Sequence, residues 1–93
     1  RPANAETFGG RIRLEDGMEL LALKPAENGD GLILRVHDIK GKKRTVRLSF
    51  AEPCRLLQPC DLLETDQGAP SEQVAEYEFE TRPFEVHSFR LRF

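Results

Sequence analysis

The sequence contains no tryptophan, one tyrosine and only two cysteines in 93 residues. Two cysteines are too few to build a disulfide framework. A structural zinc site needs about four ligands, and the two histidines that could join the cysteines lie far from them in sequence. We therefore expect Cys54 and Cys60 to be reduced, partly buried thiols, with a local bridge between them as the alternative.

The chain also lacks a long apolar run and a strong excess of charge. No stretch is long enough to span a membrane. The formal net charge is -2 and the pI about 5.7, so we expect no general attraction to nucleic acid or to an anionic membrane. The N-terminal RPANAETFGG has no apolar stretch of the signal-peptide kind, which favours a cytoplasmic location. We expect residues 1–10 to be a linker or cut end and residues 11–93 to form one domain.

Most of the remaining chain alternates apolar with polar residues. In LILRVHD, Leu32, Leu34 and Val36 share one face, and Arg35 and His37 share the other. The run TVRLSF repeats this pattern, and in AEYEFE the apolar positions 75, 77 and 79 lie opposite three glutamates. Alternation with a period of two predicts half-buried strands. It places the following residues in the core: Leu34, Val46, Leu48 and Phe79.

Turn signals separate these runs at short intervals. They are Asp16-Gly17, Asn28 to Gly31, Gly41, the segment DQGAPS and Arg82-Pro83. Short alternating strands at such spacing are typical of an all-β sandwich or barrel. The sequence therefore predicts an antiparallel β-sandwich of about seven strands.

The segment Asn28-Gly29-Asp30-Gly31 has the glycine content of a ligand-binding loop. A phosphate site needs such glycines to lead into a helix, but a strand-like run follows Gly31. A calcium loop needs acidic residues at alternate positions before a glycine, and these positions are empty. Asn-Gly and Asp-Gly are strong hairpin signals because both residues tolerate positive φ. We predict a hairpin turn here, with no more than peripheral contact to any substrate.

Two charged clusters are candidates for binding or acid–base chemistry. One is basic, with Lys40, Lys42, Lys43 and Arg44, and the other is acidic, with Glu76, Glu78 and Glu80. The basic residues lie at a glycine turn without interleaved aromatic residues for base stacking, which favours a solvated hairpin tip. The acidic residues occupy alternate strand positions, the outer face of a sheet, where they are solvated or paired with arginines. We predict no catalytic, cofactor-binding or metal-binding residue in this chain.

The last run changes phase. Phe84 and Val86 occupy even positions, whereas Phe89, Leu91 and Phe93 occupy odd ones. A regular strand cannot keep both sets on one face. The pattern predicts a β-bulge near His87-Ser88 and a hairpin with residues 75–81 that sets Phe79 opposite Val86.

Three stretches appear in a distinctive order: LALKPAENGDGLILRVHD, then DLLE at positions 61–64, then RPFEVHSFRLRF at the end. Together they resemble the last β domain of family 38 glycoside hydrolases, the α-mannosidases, over residues 18 to 93. That family typically has an Ala-Leu-Lys-like strand, an acidic residue with Gly-Asp-Gly, an apolar strand carrying an arginine and a Leu-Leu-Glu strand. It ends with a Pro-Phe-Glu-Ile/Val segment that leads to a Phe-Arg-Leu terminus. The positions that match its first stretch are Leu23-Lys24, Glu27, Gly29-Asp30-Gly31 and Arg35.

The chain departs from the family at His37-Asp38, where an aromatic residue and Glu are common, and at Asp61, where Asn is common. We therefore assign no role to these positions. The resemblance implies a parent enzyme that hydrolyses α-linked mannose with retention of configuration. Zinc ligands and the aspartate nucleophile would lie in a larger N-terminal catalytic domain, since no residue of this chain matches those motifs.

The resemblance thus implies a non-catalytic, C-terminal accessory domain that packs on the catalytic and middle domains of its parent. Self-association of the uncovered surface is a further expectation. The main alternative is a carbohydrate-binding module, but that class needs an exposed aromatic platform and this chain supplies few rings. A protein-interaction module that uses an exposed strand edge is the third hypothesis.

Overall fold

A computed structural model describes residues 5–8 and 12–93. The described residues form seven β-strands and no helix: β1 Ala5–Phe8, β2 Ile12–Glu15, β3 Met18–Pro25, β4 Leu32–Asp38, β5 Arg44–Cys60, β6 Ser71–Thr81 and β7 Val86–Arg92. The predicted all-β, antiparallel architecture of about seven strands is confirmed. Since no described residue is helical, the described part of the chain also holds no helix able to cross a membrane.

Only part of the expected linker, residues 1–10, is described. Ala5–Phe8 pairs antiparallel with Ile12–Glu15 as the first strand of the sheet. Residues 9–11, where the boundary to the domain at residues 11–93 was expected, lie outside the described residues.

The strands form one curled sheet in the order β1-β2-β5-β7-β4-β3, with β6 also paired to β5. The 17-residue β5 belongs to both layers of the sandwich. Its first half pairs with β2 and its second half with β7, while β6 follows both halves along the other edge. The ladder with β6 shifts between Ser49 and Cys54, around Pro53, which has no N–H to donate to a ladder.

The main core lies between the two layers. Leu34, Val46 and Leu48 are fully buried there, as predicted, and Phe79 packs against them half-buried. The ring of Phe79 lies 5.1 Å from that of Phe89, and the ring of Tyr77 lies 5.7 Å from it. Because β6 and β7 are not hydrogen-bonded to each other, these rings meet across the core between the layers.

The predicted β-bulge in β7 is wrong. Residues 86–91 pair with β4 in an uninterrupted ladder, in which Val36 lies opposite His87 and Arg35 opposite Ser88. No change of phase is needed, because Phe84 lies in the turn before the strand and Val86 faces away from the core. The predicted hairpin with residues 75–81 is also wrong, since β7 lies between β4 and β5.

The phase predicted for β6 holds only in its second half. Tyr77 and Phe79 face the core, but Ala75 is exposed and Val74 is buried in its place. The shift of the β5–β6 ladder accounts for this change, because it carries the inward face from odd to even positions. Gln73, with φ of 52°, lies beside the irregularity.

The layer formed by β4, β7 and the second half of β5 is covered on both faces. Its inner face contributes to the main core, and its outer face carries a small second cluster of Ala26, Ile33 and Cys60. The loop over residues 61–70 lies on this outer face, and its contacts are described below. Both cysteines are free and buried, Cys54 in the main core and Cys60 in the second cluster.

Candidate functional site

Arg90 lies on the outer face of β7 and is only 4% exposed. Its Nη1 donates to the carbonyl oxygen of Asp30 at 2.7 Å and to Oδ1 of Asn28 at 3.2 Å. Its Nη2 donates to the carbonyl oxygen of Glu64 at 2.7 Å, and its Nε donates to Oδ1 of Asp66 at 3.3 Å. One buried guanidinium therefore holds two loops that are far apart in sequence.

The first of these loops is the predicted hairpin turn between β3 and β4, which the structure confirms. Oδ1 of Asn28 accepts the N–H of Asp30 at 2.9 Å, and the Asp30 carboxylate is paired with Arg92. A side chain at Gly31 is excluded, because its Cβ would lie 2.5 Å from the carbonyl oxygen of Leu91 at a φ of +79°. The polar groups of the turn are thus directed toward β7 rather than toward a ligand.

The second loop, residues 61–70, is fixed by its own carboxylates. Oδ1 of Asp61 accepts the N–H groups of Leu63 at 2.8 Å and Thr65 at 2.9 Å. The Glu64 carboxylate accepts the N–H of Glu27 at 2.9 Å and Nζ of Lys24 at 3.0 Å. These two hydrogen bonds, the first in particular, hold the pKa of Glu64 below its ordinary value. The Leu-Leu-Glu segment is therefore a turn, and the strand that the resemblance implied for it is wrong.

A buried carboxylate organises the opposite end of the sheet. Asp38 is fully buried and accepts hydrogen bonds from the N–H groups of Phe84 and Gly41, each at 2.9 Å. It also accepts Nη2 of Arg44 at 2.9 Å and the N–H of Lys40 at 3.2 Å. Burial alone would raise the pKa of Asp38, but these donors outweigh it and hold the pKa well below its ordinary value.

The prediction that the basic cluster forms a solvated hairpin tip is therefore correct for only part of the cluster. Arg44 is turned inward to Asp38, and its Nη1 also donates to the carbonyl oxygen of Asp16 at 3.1 Å. Lys40 forms an ion pair with the Asp16 carboxylate at 3.1 Å. Within the basic cluster, only Lys42 and Lys43 are exposed and have no such partner among the described residues. The local sequence does not distinguish the paired basic residues from the exposed ones, because the acceptors come from other strands and turns.

The remaining candidate groups are either exposed on the sheet or bound to neighbouring side chains. Glu76, Glu78 and Glu80 are exposed, and Arg47 pairs with Glu78 at 2.9 Å, which confirms that prediction. The imidazole of His87 lies 2.9 Å from Oγ1 of Thr81, and burial lowers its pKa. Within residues 12–93, no three His, Cys, Asp or Glu side chains are grouped as a metal site.

The sequence reasoning missed Asp38, Asp61 and Arg90 as organising residues. For Asp38 a signal exists, because it follows Leu34 and Val36 in the same alternating phase and so belongs to the buried face of β4. Arg90 has no such signal. It alternates with Phe89 and Leu91 as a solvent-facing arginine would, and its burial depends on a loop from elsewhere in the chain.

Aromatic residues are mostly directed inward. Of the rings in residues 12–93, only that of Phe84 is exposed, at 62%. One exposed ring does not by itself form the aromatic platform that a carbohydrate-binding module of this kind would need.

The described residues form an all-β module whose buried charged side chains, Asp38 and Arg90, are bound to loops of the same domain. In a comparison with known families, residues 17–89 match the glycosyl hydrolases family 38 C-terminal beta sandwich domain. The chain therefore belongs to this family, as the resemblance indicated. No curated protein and no solved structure gives a significant match.

Arg90→Met should destabilise the domain strongly. The variant removes the donor from the carbonyl groups of Asp30 and Glu64, at about 1–3 kcal/mol for each acceptor left unpaired away from water. The matched control is Arg92→Met, which breaks an ion pair with Asp30 at the surface and should cost far less. Urea unfolding measures both. Equal losses for the two variants would contradict the role assigned to Arg90.

Asp38 should make stability depend on pH in acid. Its pKa in the folded chain lies below the ordinary 3.8, so the unfolded chain takes up the proton first as the pH falls. The stabilisation is complete well above 3.8 and is lost as the pH falls through 3.8 towards the lower pKa of the folded chain. The gap in unfolding free energy between the wild type and Asp38→Asn should therefore be constant near about pH 6 and shrink as the pH falls from about 5 to about 3. The exposed Glu80→Gln is the control, and a gap that stays constant would contradict the prediction.

Proposed function

We propose that this domain is a non-catalytic structural part of an α-mannosidase-like family 38 enzyme. The parent hydrolyses α-linked mannose with retention, through a glycosyl-enzyme intermediate. The domain packs on the catalytic and middle domains of that enzyme. Family membership of residues 17–89 by itself defines a C-terminal domain of a family 38 enzyme. To this we add the substrate of that enzyme and a structural role for the domain.

The main support for this proposal is that the buried charged side chains bind atoms of the domain itself. Asp38 and Arg90 are the buried charged residues of the described chain, and both bind loop atoms of the same domain. Retaining hydrolysis requires a nucleophilic carboxylate and an acid carboxyl that face one glycosidic bond. Asp38 is enclosed by its donors, and the glutamates of β6 lie in a row on an open face. This supports a structural role.

The zinc ion that the resemblance implies does not fit this chain. A catalytic zinc needs three protein ligands and an open position, and residues 12–93 do not bring three His, Cys, Asp or Glu side chains together. The proposal therefore assigns the metal to the catalytic domain of the parent and assigns no step of the reaction to this domain.

The chain should not release the leaving group of an aryl α-mannoside, with or without added zinc, and zinc should not raise its melting temperature, since only binding to the folded state would do so. The assay measures chromogenic product at high protein concentration. Turnover that survives purification and disappears with Asp38→Asn or Glu78→Gln would contradict the proposal. A glycan array tests the alternative, because a carbohydrate-binding module would retain mannosides.

A further inference from the structure

The 61–70 loop exposes two adjacent leucines at its tip. Leu62 is 62% exposed and Leu63 is 86% exposed. Single exposed apolar side chains are ordinary on protein surfaces, whereas contiguous exposed apolar patches mark interaction sites. A third apolar residue, Val86, belongs to the same outer face of the sheet and is 38% exposed.

Arg35 connects the leucine tip to β7, the strand that carries Val86. Its Nη2 donates to the carbonyl oxygen of Leu62 at 3.3 Å, and its Nε donates to Oγ of Ser88 at 3.0 Å. Ser88 and Val86 are two positions apart on one face of β7, a separation of roughly 7 Å. We call Leu62, Leu63, Val86 and Arg35 the docking patch.

The tip is held in place before any partner arrives. Asp61 binds the N–H groups of Leu63 and Thr65, and Arg90 binds the carbonyl oxygen of Glu64. Glu64 has a φ of 64°, a backbone conformation that few non-glycine residues adopt. An apolar tip fixed in this way loses little conformational entropy when it is buried.

The charge of the patch constrains its partner. Arg35 is half-buried and makes hydrogen bonds to a carbonyl and a hydroxyl oxygen, and no carboxylate of residues 12–93 forms an ion pair with it. A surface that covers the patch must therefore supply acceptors for the remaining N–H groups, and a carboxylate supplies both the acceptor and the opposite charge.

The area of the patch also constrains its partner. Three aliphatic side chains bury roughly 300 Å², whereas a stable complex between free proteins buries about 1,000 Å² or more. A contact this small becomes effective when both surfaces belong to one polypeptide, because the effective concentration is then in the millimolar range, at about 1 mM or more. The match to a C-terminal domain of family 38 provides such a polypeptide.

We infer that the docking patch inserts Leu62 and Leu63 into an apolar pocket on the preceding part of the same family 38 polypeptide, with a carboxylate of that pocket facing Arg35. The inference rests on the proposed function and adds the face and the chemistry by which the domain packs on its enzyme.

Cysteine labelling tests the inference, because Cys54 and Cys60 are buried and react slowly. Leu63→Cys and the control Glu80→Cys, which replaces an exposed residue on β6 in the opposite layer, are each placed in the 93-residue chain and in the full polypeptide that carries it. Maleimide reaction is followed by digestion and mass spectrometry. We expect the full polypeptide to slow labelling at position 63 about tenfold or more and to leave position 80 unchanged.

The Leu63→Cys substitution could itself weaken docking, because it removes one of the two leucines. A second pair of variants tests the docking patch without a cysteine. Leu62→Ser/Leu63→Ser and Arg35→Gln should each speed the proteolytic release of this domain from the full polypeptide, whereas Glu80→Ser should not. In the 93-residue chain the leucine variant should keep the wild-type urea midpoint, because both side chains are already exposed.

The outcomes separate the inference from the proposed function. If labelling and release are unchanged while amide exchange shows the domain protected elsewhere in the full polypeptide, the docking patch is wrong and the accessory role stands. If no part of the domain is protected there, both are wrong. If labelling at position 63 slows with concentration in the 93-residue chain alone, the occupant is a second copy, which also overturns the inference.

Discussion

The guanidinium of Arg90, 4% exposed on the outer face of the sheet, requires acceptors that water does not supply. A buried cation without such partners would cost several kcal/mol, so the chain must place oxygen atoms around it. The β3–β4 turn and the 61–70 loop provide them through Asn28, Asp30, Glu64 and Asp66. Arg90 therefore fixes where each loop lies on the sheet, and it also fixes the positions of the exposed groups that the loops carry.

The long strand β5 makes this arrangement possible. It contributes to both layers, pairing first with β2 and then with β7, and the loop that follows it is delivered onto the outer face beside Arg90. Asp38 performs the corresponding task at the other end, where it fixes the turns around Gly41 and Phe84. The buried charged residues of the described chain, Asp38 and Arg90, are thus used to hold loops.

Local sequence patterns correctly predicted the features that short-range interactions determine, namely core positions within strands and a hairpin turn. Alternation identified Leu34, Val46 and Leu48 as core, because burial on one face of a strand leaves a period of two, and turn chemistry identified the hairpin at Asn28 to Gly31. The errors arose where distant segments meet. Phe84 and Val86 suggested a bulge because their sequence does not reveal which face of β7 they occupy. Arg90 was missed because its burial depends on the 61–70 loop, whose position no local pattern records.

The central claim is that Arg90 fixes both loops in solution, and nitrogen-detected NMR of the arginine side chains tests it most directly. Four hydrogen bonds should hinder rotation of the Arg90 guanidinium, so its Nη protons should give separate signals that exchange slowly with water. The exposed Arg55 should show averaged signals in fast exchange. Averaged, rapidly exchanging signals for Arg90 as well would contradict the account, because the loops would then lack the anchor that defines their positions.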